Sequence, residues 1–237
     1  MAAKRILVQA GHVAPREPGF LDGTGTVREQ EFTFSMRKRL VSLLEADDRF
    51  HPIPQPGDVT DVPCEAALFF HGDGSGDETA RGRSFGFPDL PGVDVNERLA
   101  KILEKHLSRI PGAPPEHAWN YTGGLREYYA YKRVTTPGPE VLIEHGFLTN
   151  PTEQKWLFAN LAQQATAEYR ALCEFFDLEP RGEVRPARIG WIVEWTDADG
   201  VAHRKRTFAP RRVFLRLWAD GIRRIFIRKA RPIPPSG

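Results

Sequence analysis

Three short apolar runs, each ending on a residue that can bind a metal or carry a proton, constrain this chain more than any other feature. Lys4 to Ala10 runs into Gly11-His12, Glu65 to Phe70 runs into His71, and Val141 to Ile143 runs into Glu144. Runs this short and this continuously apolar suit strands buried in a parallel sheet. Segments with helical spacing lie between and after them. Glu29 to Ala46 places Phe32, Met36, Leu40, Leu43 and Leu44 on one side, and Asp94 to Ile110 does the same with Val95, Leu99, Ile102, Leu103 and Leu107. Asn150 and Pro151 suit the N-cap and first position of a long helix reaching about Phe176. Strands alternating with helices predict an α/β domain: a mostly parallel twisted sheet flanked by helices. Such sheets gather function at the C-terminal ends of their strands, where His12, His71 and Glu144 fall.

Charge divides the chain in two. Residues 1–180 carry 19 Lys+Arg against 26 Asp+Glu, whereas residues 181–237 carry 14 against 5, so a net charge of +2 splits into −7 and +9. The expected boundaries are a catalytic domain over 1–179 and a small basic module over 186–232. In the module, Arg188 to Thr196 and Val201 to Phe208 read as a hairpin about Asp197-Ala198-Asp199-Gly200. Pro210 to Ala219 reads as a helix and Ile222 to Arg228 as a last strand, giving ββαβ. Residues 51–63 read as a proline-rich connection. No stretch approaches the roughly 18–20 apolar residues of a membrane span. The N-terminus has neither an apolar h-region nor a cleavage site, so the expectation is cytoplasmic synthesis without a signal peptide. Cys64 and Cys173 lack CxxC spacing and read as two buried thiols.

Two histidines and two glutamates suffice for hydrolysis at a metal. A catalytic zinc takes three protein ligands and keeps a fourth position open. A nearby carboxylate then takes a proton from water and returns it to the leaving nitrogen. His12, Glu29, His71 and Glu144 are the candidates for these roles, but they are spread over more than a hundred residues, and their spacing alone does not assign ligands and proton carrier. Each has a plainer alternative. A strand-end His is more often an ordinary satisfied residue. Glu29 has the spacing of a capping-box partner for Thr26, and Glu31 is its rival as ligand. Glu144 ends a buried Val-Leu-Ile run, where a carboxylate is costly unless paired or functional. Alternation along the strand turns His145 away from Glu144, toward a structural role. Trp119, Tyr121, Tyr128, Tyr129 and Tyr131 suit either a substrate groove or the core. His51, His106, His117 and His203 have no partner pattern.

The residues themselves resemble a family. Ile6-Leu-Val-Gln-Ala-Gly-His12, Glu29-Gln-Glu-Phe-Thr-Phe-Ser-Met-Arg-Lys-Arg-Leu40, Ala67-Leu-Phe-Phe-His71 and Pro139-Glu-Val-Leu-Ile-Glu-His-Gly-Phe-Leu-Thr-Asn150 occur in the order found in zinc-dependent N-acetylmuramoyl-L-alanine amidases. The resemblance covers about residues 4–177 and implies that His12, Glu29 and His71 hold zinc and that Glu144 is the catalytic acid/base. It implies peptidoglycan as substrate and the bond between N-acetylmuramic acid and L-alanine as the bond cut. Departures occur at Val13-Ala14-Pro15-Arg16-Glu17-Pro18-Gly19, where the family often continues Gly-Gly with an Asp-Pro-Gly turn, and at Phe69 and Asp73, where Ser and Asn are usual. These leave the ligands intact and alter the surroundings of the groove.

The setting expected for such a chain without a signal peptide is a phage endolysin, made in the host cytoplasm and acting on the wall after release. Two other classes remain: a zinc peptidase cutting within the peptidoglycan peptide, and a non-catalytic protein binding wall or nucleic acid. For the basic module, anionic wall polymers are the expected partner, ahead of nucleic acid.

Overall fold

The computed structural model describes residues 2–13, 27–88, 94–135 and 138–181, and the backbone of strands within 191–229. It divides into two compact units, residues 1–182 and 183–237. The first contains a six-stranded sheet in the order β2-β1-β3-β6-β4-β5. Its strands are β1 (Lys4–Ala10), β2 (Phe50–Gln55), β3 (Ala66–Asp73), β4 (Arg83–Gly86), β5 (Glu116–Trp119) and β6 (Glu140–Phe147). Every pairing is parallel except that of β4 with β6. The predicted α/β class, with a mostly parallel sheet flanked by helices, is what forms.

Residues alternate between the two faces of each strand. One face carries Ile6, Val8, Leu68, Phe70 and Ile143, all buried. Helices α1 (Val27–Glu45), α2 (Asp94–Leu107) and α5 (Leu161–Phe175) belong to this side, with Phe32 of α1 and Phe70 of β3 both edge-on to His145. The other face carries Leu7, Ala67, Phe69 and Leu142. These pack with Val59, Val62, Leu125, Ala130 and Tyr131 from the loop before β3, the short helix α3 (Gly123–Arg126) and a 3₁₀ turn over Tyr129–Arg133.

Four features depart from the expectations. The proline-rich connection contains strand β2, which pairs in parallel with β1 through Pro52 and Pro54. The two prolines share one parity on an edge strand, so their missing N–H groups face away from the ladder. β4 and β5 were not foreseen, because four residues are too few to show a period. The long C-terminal helix is two, α4 (Pro151–Ala159) and α5, broken at Asn160, whose side-chain amide donates to Trp156 O at 2.9 Å. Asn150 does cap α4, accepting from Thr152 N and Glu153 N. Both cysteines are buried thiols.

In the second unit β7 (Trp191–Thr196) pairs antiparallel with β8 (Ala202–Thr207) and with β9 (Ile225–Lys229). The expected hairpin and last strand are present. The expected turn at 197–200, the helix at 210–219 and the Thr26 cap lie outside the described residues. Among the described residues no helix is long and apolar enough to cross a membrane.

Candidate metal centre

β1, β3 and β6 are neighbours in the sheet, and His12 just after β1 and His71 near the end of β3 meet Glu29 in the first turn of α1. His12 follows β1 in the left-handed region, with φ of 59°. Such a backbone is costly for a non-glycine residue and is retained mainly where structure or function demands it. Gly11 is required by close approach: a Cβ there would lie 2.6 Å from His71 Nε2 and 2.6 Å from the Phe70 carbonyl oxygen. Glu29, in the first turn of α1, is buried and reaches across to both histidines.

The spacing suits a small cation. Glu29 Oε1 lies 3.2 Å from His71 Nδ1 and 3.4 Å from His12 Nε2. The imidazoles stand at 89° with centroids 5.0 Å apart, and one donor atom from each of the three residues lies within 4.8 Å of the others. Tetrahedral ligands held at zinc–N and zinc–O distances near 2.0–2.1 Å are separated by about 3.3–3.4 Å. The two separations from Glu29 lie close to that range, so one oxygen and two imidazole nitrogens suit a zinc ion.

Electrostatics agree with this use. Burial lowers the His12 pKa against the pull of Glu29, and His71 lowers it further, so the ring is held neutral with a lone pair to give. Burial alone would raise the Glu29 carboxyl. The hydrogen bond from His71, the electrostatic pull of the two imidazoles and the Gly72 N–H outweigh it, leaving the pKa below the ordinary value. A neutral imidazole and an ionised carboxylate are the forms that bind metal.

Glu144 stands directly beside His71 in the β3–β6 register, on the same face of the sheet. It is half-buried, yet its Oε2 is shut off from solvent with no hydrogen-bond partner among the described residues. Burial, then the charges of Asp73 and Glu29, raise its pKa well above the ordinary carboxylate value. His145 points the other way, as alternation predicts. It is fully enclosed, with Nε2 2.7 Å from Glu168 Oε1 and Nδ1 3.2 Å from the His71 carbonyl oxygen. The rest of the motif is structural. Gly146 has φ of +154°, and a Cβ there would lie 3.0 Å from Glu153 Oε2, the atom that accepts from Phe147 N.

Glu31 does not compete with Glu29, because it faces solvent and pairs with Arg28 at 2.9 Å. The aromatic cluster divides. Tyr131 belongs to the core, Tyr121 and Tyr129 are exposed, and Tyr128 sits half-buried with Oη 3.0 Å from His71 Nε2. Asp73 accepts from Tyr121 Oη. Tyr128, which by sequence suits a groove or the core, and Asp73, two residues beyond His71, both stand beside the centre, and neither position follows from a metal-ligand spacing.

No protein-family model matches this chain, and no curated protein matches it. Solved structures do share its fold, and all three that follow are N-acetylmuramoyl-L-alanine amidases. The catalytic domain of CwlV from Bacillus (Paenibacillus) polymyxa is 19% identical with a TM-score of 0.57, the match covering 74% of this chain and 99% of that one. The amidase of Clostridium difficile 630 is 17% identical with a TM-score of 0.59, covering 75% and 98%. Ami1 from Mycobacterium smegmatis is 19% identical with a TM-score of 0.54, covering 74% and 98%. The first unit of this chain therefore has the fold of the N-acetylmuramoyl-L-alanine amidases. Its donor cluster and buried carboxyl stand at the strand ends where α/β sheets place their sites.

Proposed function

We propose that the chain is a zinc-dependent peptidoglycan amidase that hydrolyses the amide between N-acetylmuramic acid and L-alanine. The observation that carries this reading is the unpartnered, buried Oε2 of Glu144 beside a His-Glu-His cluster spaced for zinc. The shared fold supports the choice of bond. His12 Nε2, Glu29 Oε1 and His71 Nδ1 would hold the ion, which when bound supplies the Lewis acidity that polarises a carbonyl and acidifies water. Glu144 Oε2 takes one proton from the attacking water as its oxygen adds to the scissile carbon. The same oxygen returns that proton to the departing nitrogen as the C–N bond breaks. A carboxyl with raised proton affinity suits both halves of this shuttle.

The test is a digest of purified peptidoglycan, with and without chelator, read by mass spectrometry. Intact stem peptides with a free L-alanine N-terminus, released from unshortened glycan only without chelator, are the expected products. Cuts inside the peptide would instead establish a peptidase. Inactivity of pure, zinc-loaded protein would favour a binding protein.

The surplus of nine positive charges over residues 181–237 suggests attachment to anionic wall polymers, which would raise the effective concentration of the catalytic unit at its substrate. Binding of a catalytically silenced full chain to isolated walls should weaken steeply with salt. Equal binding to walls stripped of anionic polymers would sink the idea.

A further inference from the structure

Tyr128 and Gln9 form a hydrogen-bonded chain behind His71. Gln9 is fully buried within the apolar run of β1, beside Phe69 in the register. Its Nε2 donates to the Gly57 carbonyl at 2.7 Å, which fixes the orientation of the amide. Its Oε1 lies 3.0 Å from Tyr128 Oη, and Tyr128 Oη lies 3.0 Å from His71 Nε2. The Tyr128 ring is locked edge-on between Phe69, His71 and Tyr131, with centroids 5.5, 5.2 and 5.7 Å away.

A neutral imidazole has one lone pair to give and one hydrogen to place. If His71 Nδ1, which faces Glu29, is the ligand atom, the hydrogen must sit on Nε2 and needs an acceptor. Tyr128 Oη can accept it because its own hydrogen has a destination in Gln9 Oε1. Gln9 Nε2 keeps two acceptors, the Gly57 carbonyl and Tyr129 Oη at 3.2 Å. Every donor in that arrangement meets an acceptor. The chain also runs backwards. With a hydrogen on Nδ1 shared with Glu29, Tyr128 donates to Nε2 and Gln9 Nε2 donates to Tyr128 Oη at 2.9 Å. An amide serves both directions because it carries a donor and an acceptor, which accounts for a buried glutamine directly after the apolar residues Ile6, Leu7 and Val8 of the strand.

We infer that Tyr128 is a positioning residue for the metal centre: backed by Gln9, it accepts the Nε2 hydrogen of His71 when Nδ1 is the ligand atom and so supports the ring in its metal-binding tautomer. This rests on the reading of His12, Glu29 and His71 as ligands. Loss of such an outer partner typically weakens metal binding about 10- to 100-fold.

The experiment is zinc competition against a chromophoric chelator on the full chain, for wild type, Tyr128→Phe, Gln9→Met, the double variant and His71→Ala. Tyr128→Phe keeps the ring contacts and removes only the hydroxyl. It should still bind one zinc, about 10- to 100-fold more weakly. Gln9→Met should weaken binding less, and the double variant no more than Tyr128→Phe alone, since both changes cut one chain. Independent structural damage would instead make the losses add. In zinc-loaded wild type the His71 Nε2–H proton should exchange slowly in NMR spectra, and Tyr128→Phe should abolish that protection. Unchanged affinity in Tyr128→Phe while His71→Ala abolishes binding overturns the positioning role and leaves the metal reading standing. Wild-type affinity in His71→Ala overturns both.

Discussion

Glu144→Gln is expected to lower turnover on peptidoglycan by about 10²- to 10⁴-fold, the range for loss of a positioned general acid–base. Zinc affinity should be nearly unchanged, since Glu144 is not in the donor cluster. Substitution keeps the size of the side chain and removes its capacity to hold a proton. The pH dependence follows from the same carboxyl. The water-activating form is ionised, so wild-type activity should fall at low pH as Glu144 takes up its proton. Folding stability runs the opposite way. A carboxyl whose folded pKa is raised binds its proton more tightly in the fold, so stability declines as pH rises from the unfolded value through the folded one. Metal-free Glu144→Gln, having no charge to bury, should melt no lower than metal-free wild type at neutral pH. Near-wild-type turnover in the variant would remove Glu144 from the mechanism, and a clear drop in melting temperature would show that its charge is stabilised in a way the buried, unpartnered Oε2 does not suggest.

His71→Ala is expected to abolish both activity and zinc-linked stabilisation. In wild type, zinc at 100 times its dissociation constant should add about 2.7 kcal/mol to the stability of the folded chain, through mass action on the folded state. The alanine variant loses the ring that stands 3.2 Å from Glu29 and at 89° to His12, leaving two donors where a catalytic zinc needs three. Thermal melts of both proteins with chelator and with zinc make the comparison. A zinc-dependent rise in the melting temperature of His71→Ala equal to that of wild type would place the metal elsewhere. Chelation of wild type should reproduce the loss of activity, and zinc should restore it.

Much of this centre is written in local pattern. The runs ending at His12, His71 and Glu144 form the neighbouring strands β1, β3 and β6, because continuous apolar residues are stable only when buried on both faces. The period of two puts Glu144 and His145 on opposite faces, and that much can be counted along the chain, whereas the β3–β6 register is what brings His71 onto the face of Glu144. Helices α1 and α2 announce themselves by spacing, and the cap at Asn150 by residue type.

Other parts had no local signal. β4 and β5 are four residues each, and their strand character comes from pairing beside β6 rather than from their own composition. Pro52 and Pro54 argue against a strand until the edge position of β2 is known. Glu29 and Glu31 are two residues apart and differ by roughly 200° around a helix of 3.6 residues per turn. Which of them faces the histidines depends on how α1 is rotated against the sheet. Tyr128 reaches His71 from 57 residues further along the chain.

By itself, then, the sequence determined the α/β class, the strand ends that carry His12, His71 and Glu144, and the opposed faces of Glu144 and His145, since burial and alternation act between near neighbours. The tertiary structure brought Glu29, which the family resemblance already favours over Glu31, beside the two histidines, and it alone decided that Tyr128 and Gln9 stand behind His71. It also decided that Oε2 of Glu144 has no hydrogen-bond partner among the described residues. Those outcomes depend on the packing of α1 and the Tyr129–Arg133 turn against the two faces of the sheet, over distances that no local pattern encodes.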